Sequence, residues 1–235
     1  MASPRSRVSG LFMALSLLVA PALVAPVPSP AATADSATWL RYPAISPDGR
    51  TILFSYKGDI YAVPSAGGEA RPLTLSESYE YAPVWSHDGK SIAFASDRYG
   101  NLDVFVMAAT GGEARRLTFH ATDEVPSTFT PDDQAVNFSA ARQDLVTSVQ
   151  FPTGRMSELY QVPVAGGRVT QLLPIPAIDA AYSSKGDKLI YHDVKGTENP
   201  WRKHHTSSVT RDIWVYDFKA QSYTMLTTFA GEDRD

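Results

Sequence analysis

"SPDGRTILFSYKGDIYAVPSAGGEARPLT", Ser46 to Thr74, is followed by a looser copy, "SHDGKSIAFASDRYGNLDVFVMAATGGEARRLT", Ser86 to Thr118. Both pass through the same cues in the same order: a tight turn, an alternating apolar strand, a second strand opening on an acid, and a glycine loop leading to a short "LT" strand. The turn cue recurs as "ISPDG" at Ile45, "WSHDG" at Trp85, "FTPDD" at Phe129 and "YSSKGD" at Tyr182. The second-strand cue recurs as "DIYAVP" at Asp59, "DVFVMA" at Asp103, "ELYQVP" at Glu158 and "DIWVYD" at Asp212. Pro or a small polar residue sets the turn entry, and Gly49 or Gly89 supplies a positive φ. "TILFSY" and "SIAFAS" are β-branched and aromatic without helical spacing, as strands covered on both faces are. Four strands per repeat of roughly 40 to 50 residues form the unit of a β-propeller blade.

The predicted fold is therefore all-β: a β-propeller arc of four-stranded antiparallel blades, four complete and a fifth begun. The blades are expected at about 39–75, 76–119, 120–173 and 174–227, with the fifth starting at 228. The large apolar residue before each turn, Ile45, Trp85, Phe129 and Tyr182, is assigned to packing between neighbouring sheets, since one sheet cannot bury its own faces. A propeller closes its ring, and an arc of four leaves a strand edge open to water, so the sequence reads as the amino-terminal part of a longer protein.

At 235 residues, 43% hydrophobic and 11% aromatic, the chain has the means to bury a real core. Residues 1–34 read as a signal peptide: Arg5 and Arg7, the apolar run Leu11 to Ala25, then "ATA" at Ala32 to Ala34. The mature region is then 35–235, exported to the periplasm or beyond. Pro21, Pro26, Pro28 and Pro30 interrupt the apolar run, which argues against a membrane span. Cysteine is absent, which excludes disulfides and thiolate metal sites. Loss of the signal moves the formal charge from −4 to −6, and no basic stripe for nucleic acid is present.

The chain has no Gly-x-Ser-x-Gly elbow, no phosphate loop and no His-Glu-x-x-His pattern, so no catalytic residue, cofactor or metal site is assigned. His120, near Asp123 and Glu124, lacks any recognised ligand spacing. The third and fourth repeats carry insertions between their second and third strands, at 143–157 and 196–211. Insertions at one place in a repeat gather on one rim, where function is expected. In the second insertion Trp201, Arg202, Lys203, His204 and His205 set an aromatic anchor beside cations, followed by the hydroxyls of Thr206, Ser207 and Ser208. This set suits either docking on a neighbouring module or holding a peptide by charge-assisted hydrogen bonds. Adjacent histidines in an extended segment point apart, against a shared metal.

The opening "WLRYPAISPDG", the blade cues, "FASDRYGNLDVFVM" and above all "ENPWRKHHTSSVTRDIW" resemble the amino-terminal propeller of bacterial exported tricorn-like serine peptidases, over Trp39 to Asp235. The resemblance implies further propeller blades, a PDZ-like module and a serine peptidase domain as partners within a larger protein, with peptides or proteins as ligands. None of the family's catalytic motifs has a matching position here, so this chain by itself is expected to be inactive. Two rivals stand beside this reading: a periplasmic protein-binding scaffold like that of the Tol system, and a propeller lyase or hydrolase using His192, His204 or His205 on the ring axis. A homo-oligomer is compatible with all three.

Overall fold

The computed structural model describes residues 38–142, 156–196, 208–229 and 231. The signal segment, most of both insertions and most of the region from 228 onward lie outside them. Among the described residues every regular element is a strand. The first sheet is β1 (Arg41–Ile45), β2 (Thr51–Tyr56), β3 (Asp59–Pro64) and β4 (Arg71–Pro72), paired in that order. The second is β5 (Glu80–Trp85), β6 (Ser91–Ser96), β7 (Asp103–Ala108) and β8 (Arg115–Arg116). A seven-stranded sheet follows, from β9 (Glu124–Phe129) through β10 (Ala135–Ala140), β11 (Glu158–Pro163), β12 (Thr170–Tyr182), β13 (Lys188–Asp193) and β14 (Ile213–Asp217) to β15 (Ser222–Met225). All pairings are antiparallel, and the first strands β1, β5, β9 and β12 lie side by side in succession, so the sheets fan out as propeller blades.

The last strand of the third repeat and the first of the fourth are one element. β12 pairs with β11 up to Glu158↔Pro176 and with β13 from Ala177↔Asp193. Pro174 and Pro176 sit at the changeover, where the ladder changes partner and missing donors do least harm.

The core lies between sheets, and strand alternation sorts residues to the two sides. Ile92, Phe94, Phe105 and Met107 of the second sheet pack against Leu53, Ile60, Ala62 and Leu73 of the first. Ala93, Val104, Val106 and Leu117 of the same second sheet pack instead against Phe129, Val136 and Phe138 of the third repeat. The second sheet is thus covered on both faces, as its uninterrupted apolar strands predicted, and each large apolar side chain buried there contributes about 1.5–3 kcal/mol. Trp85 donates its Nε1–H to Ala44 O at 3.0 Å, Phe129 is fully buried, and Tyr182 accepts from Asn137 Nδ2 at 2.9 Å. These three do join neighbouring repeats. Ile45 does not: it is 61% exposed, because among the described residues no sheet precedes the first.

The "LT" cue has a specific task. Thr74, Thr118 and Thr227 each accept, through Oγ1, the amide of the residue just after the second-strand acid, Ile60, Val104 and Ile213, at 2.9 to 3.0 Å. The preceding Leu73, Leu117 and Leu226 amides donate to the carbonyls of the same three residues at 2.8 Å. An outer strand of two residues in β4 and β8 and four in β15 is thereby clasped to its neighbour while leaving little open edge.

Each repeat's turn closes on a hydroxyl–carboxylate pair: Ser46–Asp48 at 2.6 Å, Ser86–Asp88 at 2.8 Å, Thr130–Asp132 at 2.6 Å and, at wider spacing, Ser183–Asp187 at 2.7 Å. The third turn lacks the glycine, and Asp133 takes the left-handed conformation instead, at φ 57°. Its carboxylate repays the strain by accepting the amides of His87 and Asp88 at 2.7 and 2.8 Å, and His87 Nδ1 lies 2.9 Å away, tying the second repeat's turn to the third's.

The amide of Lys90 and the hydroxyl of Ser86 hold the Asp88 carboxyl down at about 2. Ser46 and the Arg50 amide lower Asp48, and Thr130 and the Gln134 amide lower Asp132. Because these values lie below the ordinary 3.8, the turns stabilise the fold above that pH and lose their contribution as pH falls from 3.8 toward about 2. The melting temperature is expected to drop through this window, and Ser86→Ala should move the Asp88 titration, followed by NMR, upward toward the ordinary value. An unmoved titration would show that the hydroxyl does not matter.

Candidate functional site

The loop proposed from sequence, Trp201, Arg202, Lys203, His204, His205, Thr206 and Ser207, lies outside the described residues. Its roots are well defined. Lys195 donates to Thr210 O at 3.0 Å and pairs with Asp212 and, at 3.4 Å, Asp193. Asp193 also accepts from the Asp212 amide at 2.8 Å and from Trp214 Nε1 at 3.1 Å. Burial pulls the Lys195 ammonium down, but the Asp212 hydrogen bond and the charges of both carboxylates outweigh it and hold it raised. Gly196 is required by close approach, since an added Cβ would meet Val209 at 2.9 Å.

This root sits on one rim, the end of each blade that carries the connection from second to third strand. The same rim bears a repeated acid–cation pair. In the second sheet Arg98 Nε donates to Glu80 Oε1 at 2.7 Å, and in the third repeat Arg142 Nε donates to Glu124 Oε1 at 2.8 Å. Both glutamates are fully buried, and each keeps its second oxygen without a hydrogen-bond partner among the described residues. The guanidinium groups lie over the rings of Phe94 and Phe105 and of Phe138 and Tyr160. In the fourth repeat Ala177 takes the glutamate's place, and its strand partner Asp193 carries the acid beside Lys195. Burial pushes the Asp103 carboxyl up, against the pull of Arg116 at 2.7 Å.

The sequence cues missed these glutamates. Their signal is a constant spacing, Glu80 to Arg98 and Glu124 to Arg142, both separated by 18 residues. Of the histidines, His120 Nδ1 contacts Thr122 Oγ1 at 2.8 Å, and His192, nearly buried, lies 3.4 Å from Asp179.

A cavity of about 390 Å³ opens on this rim at the first sheet, lined by Trp39, Arg41, Ser55, Tyr56, Lys57 and Tyr79, with Glu77 at its side. Arg41 lies 5.2 Å from the Trp39 ring centroid and Lys57 5.2 Å from that of Tyr56. Toward the first strands, Tyr42 and Tyr81 stand 5.0 Å apart and Tyr79 and Tyr81 5.4 Å apart, measured between ring centroids. Burial, reinforced by Tyr42 and by the charges of Asp123 and Asp179, pushes the Tyr81 hydroxyl well above its ordinary range, so it is a neutral hydrogen-bonding group. The tyrosines are brought together by bulges in the first strands, where Tyr42 and Ala82 take φ 52° and 53°.

Among solved structures, the fold is similar to the tricorn protease, with a TM-score of 0.66 and 18% identity over 82% of this chain and 18% of that one. It is also similar to TolB from Acinetobacter baumannii, with a TM-score of 0.58 and 21% identity over 82% of this chain and 45% of that one. At these identities the likeness shows the fold alone. A curated relative, dipeptidyl-peptidase 5 from Porphyromonas gingivalis, is 34% identical over 71 residues, 26% of this chain and 10% of the relative. The chain therefore spans less than half of the length of TolB and under a fifth of that of the tricorn protease and of this relative. Residues 37–235 match the model of the tricorn protease N-terminal beta propeller domain, and the chain belongs to that family.

Proposed function

We propose that this chain is the non-catalytic propeller part of an exported tricorn-like serine peptidase and that it gates or presents peptides to a catalytic domain elsewhere in the polypeptide. The observation that carries this reading is the family match over 37–235. Export is supported by the charged and apolar run from Arg5 to Ala25, and no helix of the described residues is long and apolar enough to cross a membrane. The rim with the two insertions and the aromatic, cationic cavity is the face that meets peptide, and the remaining blades and the PDZ-like and peptidase modules are the partners. Self-association into a homo-oligomer belongs to the same proposal.

A docking-scaffold reading has one observation in its favour. An apolar groove of about 500 Å³ lined by Ile175, Pro176, Tyr191, Trp214 and Tyr223 opens on the fourth repeat, whose last strand and the residues after it also expose Met225, Leu226 and Phe229.

Peptide hydrolysis separates the readings. This chain alone is expected to cleave no fluorogenic peptide, whereas the longest polypeptide containing it should cleave and should lose activity to a serine-directed fluorophosphonate. Metal-dependent turnover by the chain alone would instead favour the His192 lyase or hydrolase reading. A longer polypeptide that binds proteins but never cleaves peptide would favour the scaffold.

A further inference from the structure

The blades act as controls for one another on the insertion rim, and the first breaks their pattern. Strand register aligns the pair Arg41 and Ser55 with Tyr81 and Ala95, Val125 and Ser139, and Ile178 and His192. One step toward the rim, the buried Glu80 and Glu124 have Leu40 as their counterpart, opposite Tyr56. The position of Arg98 and Arg142, four residues beyond Phe94 and Phe138, is occupied by Gly58, four beyond Phe54. The first blade has lost both the internal acid and the cation that fills the space beside it.

The cavity of about 390 Å³ opens at this same end of the first blade, with Arg41 and Lys57 on its walls. Neither forms an ion pair with a carboxylate among the described residues. Glu77, on the same lining, is exposed and pairs with neither. Ser55 is the one buried residue of the lining, 4% exposed, and its Oγ has no hydrogen-bond partner among the described residues. The second blade fills this position with Ala95, which leaves nothing unpaired, and the third with Ser139, which is only half-buried. A buried hydroxyl left unpaired where an alanine serves elsewhere is a cost that calls for a ligand. Trp39, 75% exposed, and Tyr79, 43% exposed, add ring surface next to the cations.

We infer that this rim cavity binds a carboxylate attached to a ring-bearing apolar group. Arg41 and Lys57 hold the two oxygens by charge-assisted hydrogen bonds. Ser55 Oγ donates a third once a long side chain such as Lys57 rotates to admit the oxygen. The Trp39 and Tyr79 rings receive the apolar group. The source of the carboxylate, the C-terminus of a peptide, is the element that rests on the peptide-handling role proposed above.

The test is calorimetric titration of the full chain with an acetylated tetrapeptide ending in phenylalanine, compared with its C-terminal amide, N-acetylphenylalanine and inorganic phosphate. The free-acid peptide is expected to bind about tenfold or more tightly than the amide, the size of a lost charged hydrogen bond. N-acetylphenylalanine binding as well as the tetrapeptide would assign the site to small aromatic acids, and weaker binding to peptide ends; both support the carboxylate pocket. Ser55→Ala should weaken the free acid several-fold, about the effect of one hydrogen bond, while leaving the melting temperature unchanged or higher. Equal affinity for acid and amide, phosphate binding as tightly as the free acid, or no binding of the free acid would overturn the inference. Failed binding beside intact peptide cleavage by the longer polypeptide removes the pocket alone, and binding without cleavage removes the peptidase reading alone.

Discussion

Arg98→Ala is expected to cost about 3–5 kcal/mol, because it strands a buried carboxylate rather than merely deleting a contact. Glu80 is wholly buried and Arg98 is 26% exposed, so the acid cannot turn to water when its partner leaves. The guanidinium also covers the rings of Phe94 and Phe105, and that packing is lost as well. Urea unfolding checks this, and a change within about 0.5 kcal/mol would place the pair with ordinary surface bridges. The double variant Glu80→Leu with Arg98→Leu should recover most of the loss, since removing both charges leaves nothing unpaired. The first blade already runs without the pair, carrying Leu40 and Gly58 in those places.

Phe94→Ala is expected to cost about 3–5 kcal/mol for a different reason, the cavity left between two sheets. Phe94 is fully buried among Leu53, Ile60 and Met107, and its ring lies 5.9 Å from that of Phe105. A blade held by its neighbours has no second layer to collapse into the gap. Ile45→Ala, at the position the repeat places in the same kind of layer, should change stability by no more than about 0.5 kcal/mol. Equal losses for the two would mean that Ile45 has a packing partner beyond the described residues.

The repeat made the strands and turns legible because each cue has a local cause: a hydroxyl and a carboxylate close the turn, and a threonine replaces a missing strand partner. Ile45 misled because its burial depends on a neighbouring sheet, which no local pattern encodes. Glu80 and Glu124 were hidden for a related reason. Each sits at a loop end where acids are common, and what makes it special is an arginine 18 residues away across a strand pair. The rim cavity was still less legible, since Trp39, Arg41, Ser55, Lys57 and Tyr79 come from separate segments that meet only in the folded sheets. The loop Trp201 to Ser207 stood out in sequence as a compact set of chemical groups, and its roots at Lys195 and Asp212 now have a geometry on which variants can be designed.

β12 binds the third and fourth units into one ladder, whereas the first and second share no ladder and are linked by side-chain packing and isolated hydrogen bonds such as Glu80 N–H to Gly58 O at 2.8 Å. Amide exchange should therefore divide this arc into three cooperative blocks rather than four, with the third and fourth opening together. Gene duplication faces the same boundary: a copy ending at the seam between those units cuts a strand in half and leaves two prolines on a raw edge. Growth or loss of blades at that point proceeds most cheaply two units at a time.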